Sequence, residues 1–221
     1  MAVITISRQF GSGGDEIAQK VCQILGYRYF EKRHVTQVAS EMGLSEDHAI
    51  DFSEEKYQLQ SFMDRLFGRS RPVAQVRTWR ENTQGVRTLE TSSLDEYQAL
   101  RLVEAAILAA YNEDNMVIIG RGGQIVLKDK PNVLHVRIEA PLDLRAQRIK
   151  ELEATDLSKA RDLVVQRDAV TQDYLRRFHN VDWADPLHYH LVINTGKVSL
   201  DSAAQLIVNA VRMIQPKASN N

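Results

Sequence analysis

A glycine-rich segment near the start of the chain has the residue types and spacing of a phosphate-binding loop. Gly11, Gly13 and Gly14 follow the β-branched run Val3-Ile4-Thr5-Ile6 and precede a helical pattern that ends at Gly26. Glycine lets a backbone approach an anion closely, and the N–H groups at a helix start converge on phosphate oxygens. We therefore predict a strand, a phosphate loop and a helix over this stretch, and hence nucleotide binding. The residues assigned to the nucleotide phosphates are Arg8, Phe10, Gly11, Ser12, Gly13, Gly14, Asp15 and Glu16.

This loop departs from the usual P-loop sequence, G-x-x-x-x-G-K-[ST], at three positions. Arg8 stands where the first glycine belongs, Gly14 where the lysine belongs and Asp15 where the hydroxyl residue belongs. Because the missing lysine normally neutralises the β- and γ-phosphates, we hypothesise that Arg8 supplies that charge. Two other interpretations stay open. One is a tight turn that uses glycine for geometry alone, and the other is a dinucleotide fold, for which Glu16 occupies the place of the third glycine.

Short apolar runs separated by helical patterns predict the elements that position this loop. Their alternation indicates a parallel α/β sheet covered on both faces, in which ligands bind at the carboxyl ends of the strands. The loops at residues 11–14, 120–123 and 194–196 each follow a strand, so we expect all three to border one cleft. The predicted strands are residues 3–6, 27–30, 116–119, 133–138 and 190–194, and the main helical stretches are residues 15–25, 31–95, 96–110, 141–178 and 200–214.

Three segments resemble the cytidylate kinase-like proteins among the P-loop nucleoside monophosphate kinases. They are Ile4 to Gly14, Ile119-Gly120-Arg121-Gly122, and Asp182-Trp183-Ala184-Asp185-Pro186 with Tyr189, Asn194 and Thr195 beyond it. The resemblance implies a P-loop kinase fold of the α/β class, with a five-stranded parallel sheet, helices on both faces, a helical insert and a lid. It implies a single domain with its core at residues 1–30, 96–149 and 186–215, an acceptor-binding insert at about 31–95 and a lid at about 150–185.

The resemblance also implies transfer of the ATP γ-phosphoryl group to CMP, dCMP or a related small acceptor, with Mg²⁺. Such a transfer is catalysed mainly by positioning and by charge neutralisation, so several arginines should converge on the transferred group. Arg121 follows a predicted strand and is assigned to the acceptor phosphate, together with Gly122. Bacterial enzymes of the family resemble Gly-Arg-Asp at this point, so an acidic residue after Arg121 is missing here.

Further arginines lie in the region that the resemblance identifies as the lid and its entrance. Arg145 and Arg148 are spaced i and i+3, so they share a helix face, and they match an Arg-Ala-x-Arg segment that faces ATP in the family. Arg167 with Asp168 resembles an Arg-Asp pair of the lid. We assign the three arginines to the transferring phosphoryl group. The complete predicted catalytic set is Arg8, Arg121, Arg145, Arg148 and Arg167.

Two other functions stay open at this point. A nucleotide-binding regulatory protein with little turnover would explain both the absent P-loop lysine and the absent acidic residue after Arg121. A kinase for another small molecule is also compatible with the sequence, because residues 31–95 carry no recognisable base-reading motif.

The overall composition argues against several classes of partner. The 28 Lys and Arg residues nearly balance the 29 Asp and Glu residues, so we expect no nucleic-acid-binding surface. No apolar run approaches the roughly 20 residues of a membrane span, so we expect a cytoplasmic protein that does not enter a membrane. The single cysteine and six histidines show no metal-ligand spacing, so we predict no protein-held metal site. The sequence leaves the oligomeric state open.

Overall fold

A computed structural model of the chain describes residues 2–30, 34, 35, 38, 74–81, 87–94 and 96–214. The chain divides into two compact units, of which the first contains Met1–Phe30 and Tyr111–Asn221 and the second Glu31–Ala110. Most of the predicted insert lies outside the described residues, so its role in binding the acceptor stays a prediction. The predicted bounds of the lid, residues 150–185, also stay a prediction.

The first unit is built on a sheet of five parallel strands. Its order is β2 (Arg28–Tyr29), β5 (Met116–Ile119), β1 (Val3–Arg8), β6 (Val133–Glu139) and β7 (Leu191–Asn194). β1, β5 and β6 are buried along nearly their whole length, as expected of continuous apolar runs in a sheet covered on both faces. The predicted five-stranded parallel sheet is confirmed. Because β1 is the central strand, the loop that follows it opens at the middle of the carboxyl edge.

Helices cover both faces of this sheet. α1 (Gly14–Leu25) and α6 (Leu200–Ile214) pack on one face, in a core that includes Ile4 and Ile6 of β1. α2 (Glu96–Asn112) precedes β5 in the chain. On the opposite face, α3 (Gly123–Val126) comes so close that a Cβ atom on Gly123 would lie 3.2 Å from Ile118 Cγ2 and 3.4 Å from Thr5 Cγ2. The two covered faces confirm the predicted layers of the fold.

The predicted helical region at residues 141–178 forms two helices that pack against each other. They are α4 (Leu142–Leu152) and α5 (Leu157–His179). The Asp156 carboxylate accepts a hydrogen bond from the Lys159 N–H at 2.8 Å and so caps the start of α5. Asn180 ends α5 in a left-handed conformation. In the parts of the chain that the structure describes, no helix combines the length and the apolarity needed to cross a membrane.

Residues 74–94 of the second unit contain strands where the sequence analysis predicts helix. β3 (Ala74–Glu81) pairs with β4 (Arg87–Leu94) in an antiparallel sheet, in which Trp79 lies opposite Leu89. The helical prediction is wrong for these residues. The two segments contain Thr78, Thr88, Thr91, Val76 and Trp79, residue types that favour pleated strands. The two strands are stabilised by pairing with each other. The hydrophobic periodicity of one segment alone does not reveal this pairing.

A buried histidine of β6, His135, makes the stability of the fold depend on pH. His135 Nδ1 lies 2.7 Å from the Thr5 hydroxyl, and the imidazole stacks on that of His190 with 5.1 Å between ring centres. Burial, with a smaller contribution from His190, lowers the pKa of His135 from 6.5 to about 4. The unfolded chain therefore binds this proton below pH 6.5, whereas the folded chain binds it only near pH 4.

We expect the free energy of unfolding to fall by about 3 kcal/mol as the pH drops from 6.5 to 4, because protons bind preferentially to the unfolded chain over this interval. Urea unfolding at several pH values measures this change. The variant His135→Gln, which cannot bind the proton, should show a weaker pH dependence over the same interval. Parallel curves for the wild type and the variant would contradict the assignment to His135.

Candidate active site

The loop between β1 and α1 leaves the start of the helix open to a ligand. Gly11 and Gly13 have φ values of 77° and 83°, a left-handed backbone that glycine adopts at little cost. Gly13 is the N-cap residue of α1 and makes no side-chain capping hydrogen bond. The N–H groups of Gly14, Asp15 and Glu16 therefore begin a helix that offers them no internal acceptors. Together with the positive end of the helix dipole, they suit this position for an anion.

The first half of the loop is fixed by hydrogen bonds within the protein. The Gln9 N–H donates to Ile138 O at 3.0 Å, and the Ser12 N–H donates to Gln9 O at 3.1 Å. The Phe10 N–H donates to the Asp168 carboxylate at 2.9 Å. The donors left for a phosphate are therefore those nearer to α1. The Ser12 hydroxyl is buried and has no hydrogen-bond partner among the described residues, so it can serve as a further donor.

The Arg8 side chain fills the space in which a side chain at position 14 would begin. A Cβ atom added to Gly14 would lie 2.5 Å from Arg8 Cβ and 2.8 Å from Arg8 Cγ, which is too close for any residue but glycine. Arg8 Nε lies 3.4 Å from the exposed Asp15 carboxylate, so the guanidinium reaches the first turn of α1. This packing supports the hypothesis that Arg8 supplies the charge of the missing lysine, which stays a prediction.

Arg145 is buried at the base of the loop and binds both the loop and α5. Its Nε donates to Ala140 O at 2.9 Å, and its Nη1 donates to Phe10 O at 3.1 Å. Nη1 also lies 2.6 Å from the Asp168 carboxylate, in an ion pair whose side chains are 7% and 19% exposed. The predicted contact of Arg145 with the transferring phosphoryl group stays a prediction. The geometry favours a different role, in which Arg145 positions the loop.

Arg148 holds the carbonyl side of the same loop. Its Nη1 donates to Ser12 O at 3.0 Å and to the Thr195 hydroxyl at 3.0 Å, and its Nη2 donates to Thr195 O at 3.2 Å. The Thr195 hydroxyl in turn donates to Ser12 O at 2.7 Å. Because these contacts turn the Ser12 carbonyl toward the protein, we infer that Arg148 also positions the loop. Thr195 belongs to a segment that resembles the family and is a residue of the site that was not predicted from the sequence.

Phe10 and Arg167 connect the loop to the α4–α5 pair. The Phe10 ring packs against a small apolar cluster that contains Ile149, Ala160 and Val164. The Arg167 guanidinium lies 5.4 Å from the centre of that ring, a cation–π distance. Arg167 is thus held next to the loop, as the sequence analysis expects, and its contact with a phosphoryl group stays a prediction.

Arg121 lies in a loop of three consecutive left-handed residues after β5. The φ values of Gly120, Arg121 and Gly122 are 62°, 53° and 70°. This conformation costs an arginine roughly 1 kcal/mol or more, and such strain is concentrated at functional sites. The Arg121 guanidinium lies 5.1 Å from the centre of the Phe30 ring. An aromatic face holds a guanidinium in a fixed orientation.

The phenol of Tyr29, which was not predicted as a site residue, lies within electrostatic range of charged side chains at both the β1 and the β5 loops. Burial raises the pKa of Tyr29 to about 12, and the Asp15 carboxylate adds to this shift while Arg8 and Arg121 oppose it. Charges from both loops therefore act on one hydroxyl. At neutral pH this phenol stays protonated and can donate a hydrogen bond.

A buried arginine at the end of β6 also escaped the sequence analysis. The Arg137 guanidinium stacks on the Trp183 ring at 4.4 Å and donates from Nη1 to Trp183 O at 2.7 Å. Arg137 Nε donates to the Glu139 carboxylate at 2.5 Å. The Trp183 indole N–H donates to the Ser7 hydroxyl at 2.7 Å, which fixes residue 183 against β1. A charged residue inside an apolar strand was the signal that could have identified this cluster.

Comparison with known proteins identifies relatives over nearly the whole chain. Residues 3–197 match the cytidylate kinase-like family. The cytidylate kinase of Thermococcus sibiricus is 24% identical over 215 residues, which cover 97% of this chain and 90% of the relative. That of Pyrococcus horikoshii is 22% identical over the same number of residues, with the same two coverages. An uncharacterized protein from Eubacterium ventriosum has the same fold, with a TM-score of 0.62 at 20% identity, over 96% of this chain and 99% of that one.

Proposed function

Because the chain belongs to the cytidylate kinase-like family, we propose that it transfers the γ-phosphoryl group of ATP to CMP, dCMP or a chemically related acceptor. The resemblance that the sequence analysis identified is confirmed, and the chain is a nucleoside monophosphate kinase-like phosphotransferase. The observation that carries the proposal is the packing of Arg8 against Gly14 in the loop before α1. Through this packing, Arg8 would provide a cation at a phosphate loop that lacks its lysine.

The proposed ATP site is the second half of the loop after β1. The N–H groups from Gly14 to Glu16, the helix dipole and the buried Ser12 hydroxyl provide donors for phosphate oxygens. Arg8 would neutralise the β- and γ-phosphates as they accumulate charge during transfer. Arg145 and Arg148 would hold the loop in the shape that presents these donors, since both arginines bind loop carbonyls.

Magnesium is the cofactor that this donor set fits. In the described ranges, no cluster of three or more histidine, cysteine, aspartate or glutamate side chains could enclose a metal ion. Mg²⁺ at a nucleotide usually needs only one or two carboxylates besides the phosphates and waters. Asp15 and Glu16 in the first turn of α1 would provide them. When bound, the ion would neutralise phosphate charge and orient the oxygens.

The acceptor phosphate would bind at Arg121, with the Phe30 ring orienting the guanidinium. A planar guanidinium can donate two parallel hydrogen bonds to one phosphate, which fixes the direction of the attacking oxygen. Tyr29, on the strand that pairs with β5, would contribute a neutral hydroxyl donor. Arg167 would add positive charge from α5 beside the loop.

An assay of ADP release tests this function with a panel of acceptors. We expect turnover that depends on both ATP and Mg²⁺, and that is fastest with CMP or dCMP among CMP, dCMP, UMP, AMP and shikimate. Titration calorimetry with a non-hydrolysable ATP analogue should detect binding in parallel. Tight nucleotide binding without turnover on any acceptor would contradict the proposal and favour a regulatory protein. Turnover on shikimate alone would instead indicate a kinase for a different small molecule.

A further inference from the structure

The loop after β5 contains a second position where glycine makes room for a side chain from elsewhere. A Cβ atom on Gly122 would lie 3.0 Å from His179 Nε2 and 3.5 Å from Leu175 Cδ2. Gly122 directly follows Arg121, to which the proposed function assigns the acceptor phosphate. The polar atoms of a short side chain lie about one to two bond lengths beyond its Cβ. The imidazole therefore lies against the space that a polar side chain at residue 122 would enter.

The position of His179 is set by α5 as a whole. His179 is the last residue of this helix, and Asn180 ends it in a left-handed conformation with φ of 52°. The ring contacts Tyr174 edge-on, with 5.8 Å between ring centres. Eleven residues earlier, Asp168 of the same helix accepts a hydrogen bond from the Phe10 N–H. One rigid element therefore brings Asp168 to the loop after β1 and His179 to the loop after β5.

We propose that His179 binds the acceptor beside Arg121 and helps to determine which acceptors are used. The proposal rests on the proposed function and names one more residue of the same site. An imidazole at this position can donate a hydrogen bond from Nε2 to a phosphate or hydroxyl oxygen. A carboxylate at this position would repel a phosphate and would accept hydrogen bonds from hydroxyl groups. His179 thus favours a phosphoryl-accepting substrate that has a hydrogen-bond-accepting oxygen next to the phosphate bound by Arg121.

The variant His179→Ala tests the role by steady-state kinetics on CMP, the best-matched acceptor probe. We expect its KM for CMP to rise by about ten- to a hundredfold, as for loss of a hydrogen bond to a charged group. The KM for ATP should change less than about twofold, because the His179 side chain packs against the loop after β5. The variant His179→Gln keeps an N–H donor close to the position of Nε2 and should recover most of the affinity for CMP. His188→Ala removes a histidine outside both loops and should behave as the wild type.

A purely structural role for His179 gives a different result. In that case His179→Ala would lower the melting temperature and change KM for ATP and CMP together, and His179→Gln would not restore CMP binding. An unchanged KM for CMP in His179→Ala, with a wild type that turns over CMP, would overturn the inference and leave the proposed function intact. If the wild type has no turnover, CMP binding is measured by calorimetry with the ATP analogue present. In that experiment, equal CMP affinity of the wild type and His179→Ala, or no CMP binding to either protein, would also overturn the inference.

Discussion

Replacing Arg8 with alanine is expected to lower kcat/KM for ATP by about a hundred- to a thousandfold, since one preorganised group that stabilises transition-state charge contributes that much. The physical reason is the absence of any lysine at position 14, where the Arg8 stem fills the space instead. The variant should fold normally, because the ion pair of Arg8 with Asp15 is long and the Asp15 carboxylate is exposed, and such pairs contribute little to stability. Initial rates of ADP release at varied ATP concentrations measure the effect.

Two comparisons decide whether the lost activity reflects the charge of Arg8. Arg8→Lys keeps a cation at this position and should recover part of the activity, although a lysine lacks the fork of the guanidinium. Arg28→Ala removes a surface arginine that pairs with Glu113 and should leave turnover unchanged. An Arg8→Ala protein with wild-type kinetics would contradict the assignment of the charge to Arg8.

Replacing Arg145 with methionine is expected to lower the free energy of unfolding by about 3–5 kcal/mol, because it leaves a buried carboxylate without its cation. The ion pair between Arg145 and Asp168 is short and nearly buried, and the same guanidinium binds Phe10 O and Ala140 O. Urea unfolding followed by circular dichroism measures the change. Arg161→Met is the matched control, since the pair between Arg161 and Asp143 is exposed and should contribute less than about 1 kcal/mol.

The double variant Arg145→Met with Asp168→Leu separates a structural ion pair from a catalytic arginine. If the two residues act on each other, the double variant should be more stable than the sum of the two single effects predicts. Additive effects, or a loss below 1 kcal/mol in Arg145→Met, would contradict the positioning role. Should Arg145→Met fail to fold, the milder Asp168→Asn variant should still lower the unfolding free energy while keeping an acceptor for the Phe10 N–H.

The strands of the sheet and the position of the loop could be predicted from the sequence because they depend on local patterns. β1, β5 and β6 are continuous β-branched and apolar runs, and such runs identify buried strands without knowledge of their neighbours. The glycines after β1 likewise indicate a turn between a strand and a helix. The same logic failed at residues 74–94, where the pairing of β3 with β4 determines the structure.

The roles of individual arginines could not be predicted from spacing alone. Arg145 and Arg148 share a helix face, as predicted, but the loop carbonyl groups that they bind belong to residues more than 130 positions away. Only the folded chain brings Phe10 and Ser12 to that face. The contacts of Arg8 with Gly14 and of His179 with Gly122 could not be predicted for the same reason. In each contact, a glycine leaves space that a side chain from another part of the fold occupies. The sequence shows that a side chain is absent at Gly14 and at Gly122. It does not show which distant side chain occupies the space.

The central claim is that Arg8 provides the cation of this phosphate loop, and exchanging the two positions tests it most directly. ATP affinity and ATP-to-CMP turnover are measured for the wild type, Arg8→Gly, Gly14→Lys and the double variant, with thermal unfolding to verify the fold. Gly14→Lys alone should clash with Arg8 and lose activity, and Arg8→Gly should lose its cation. The double variant has a lysine in the usual place and should recover to within about tenfold of the wild type, which corresponds to about 1.4 kcal/mol. A double variant no better than Arg8→Gly, or a fully active Gly14→Lys protein, would contradict the claim.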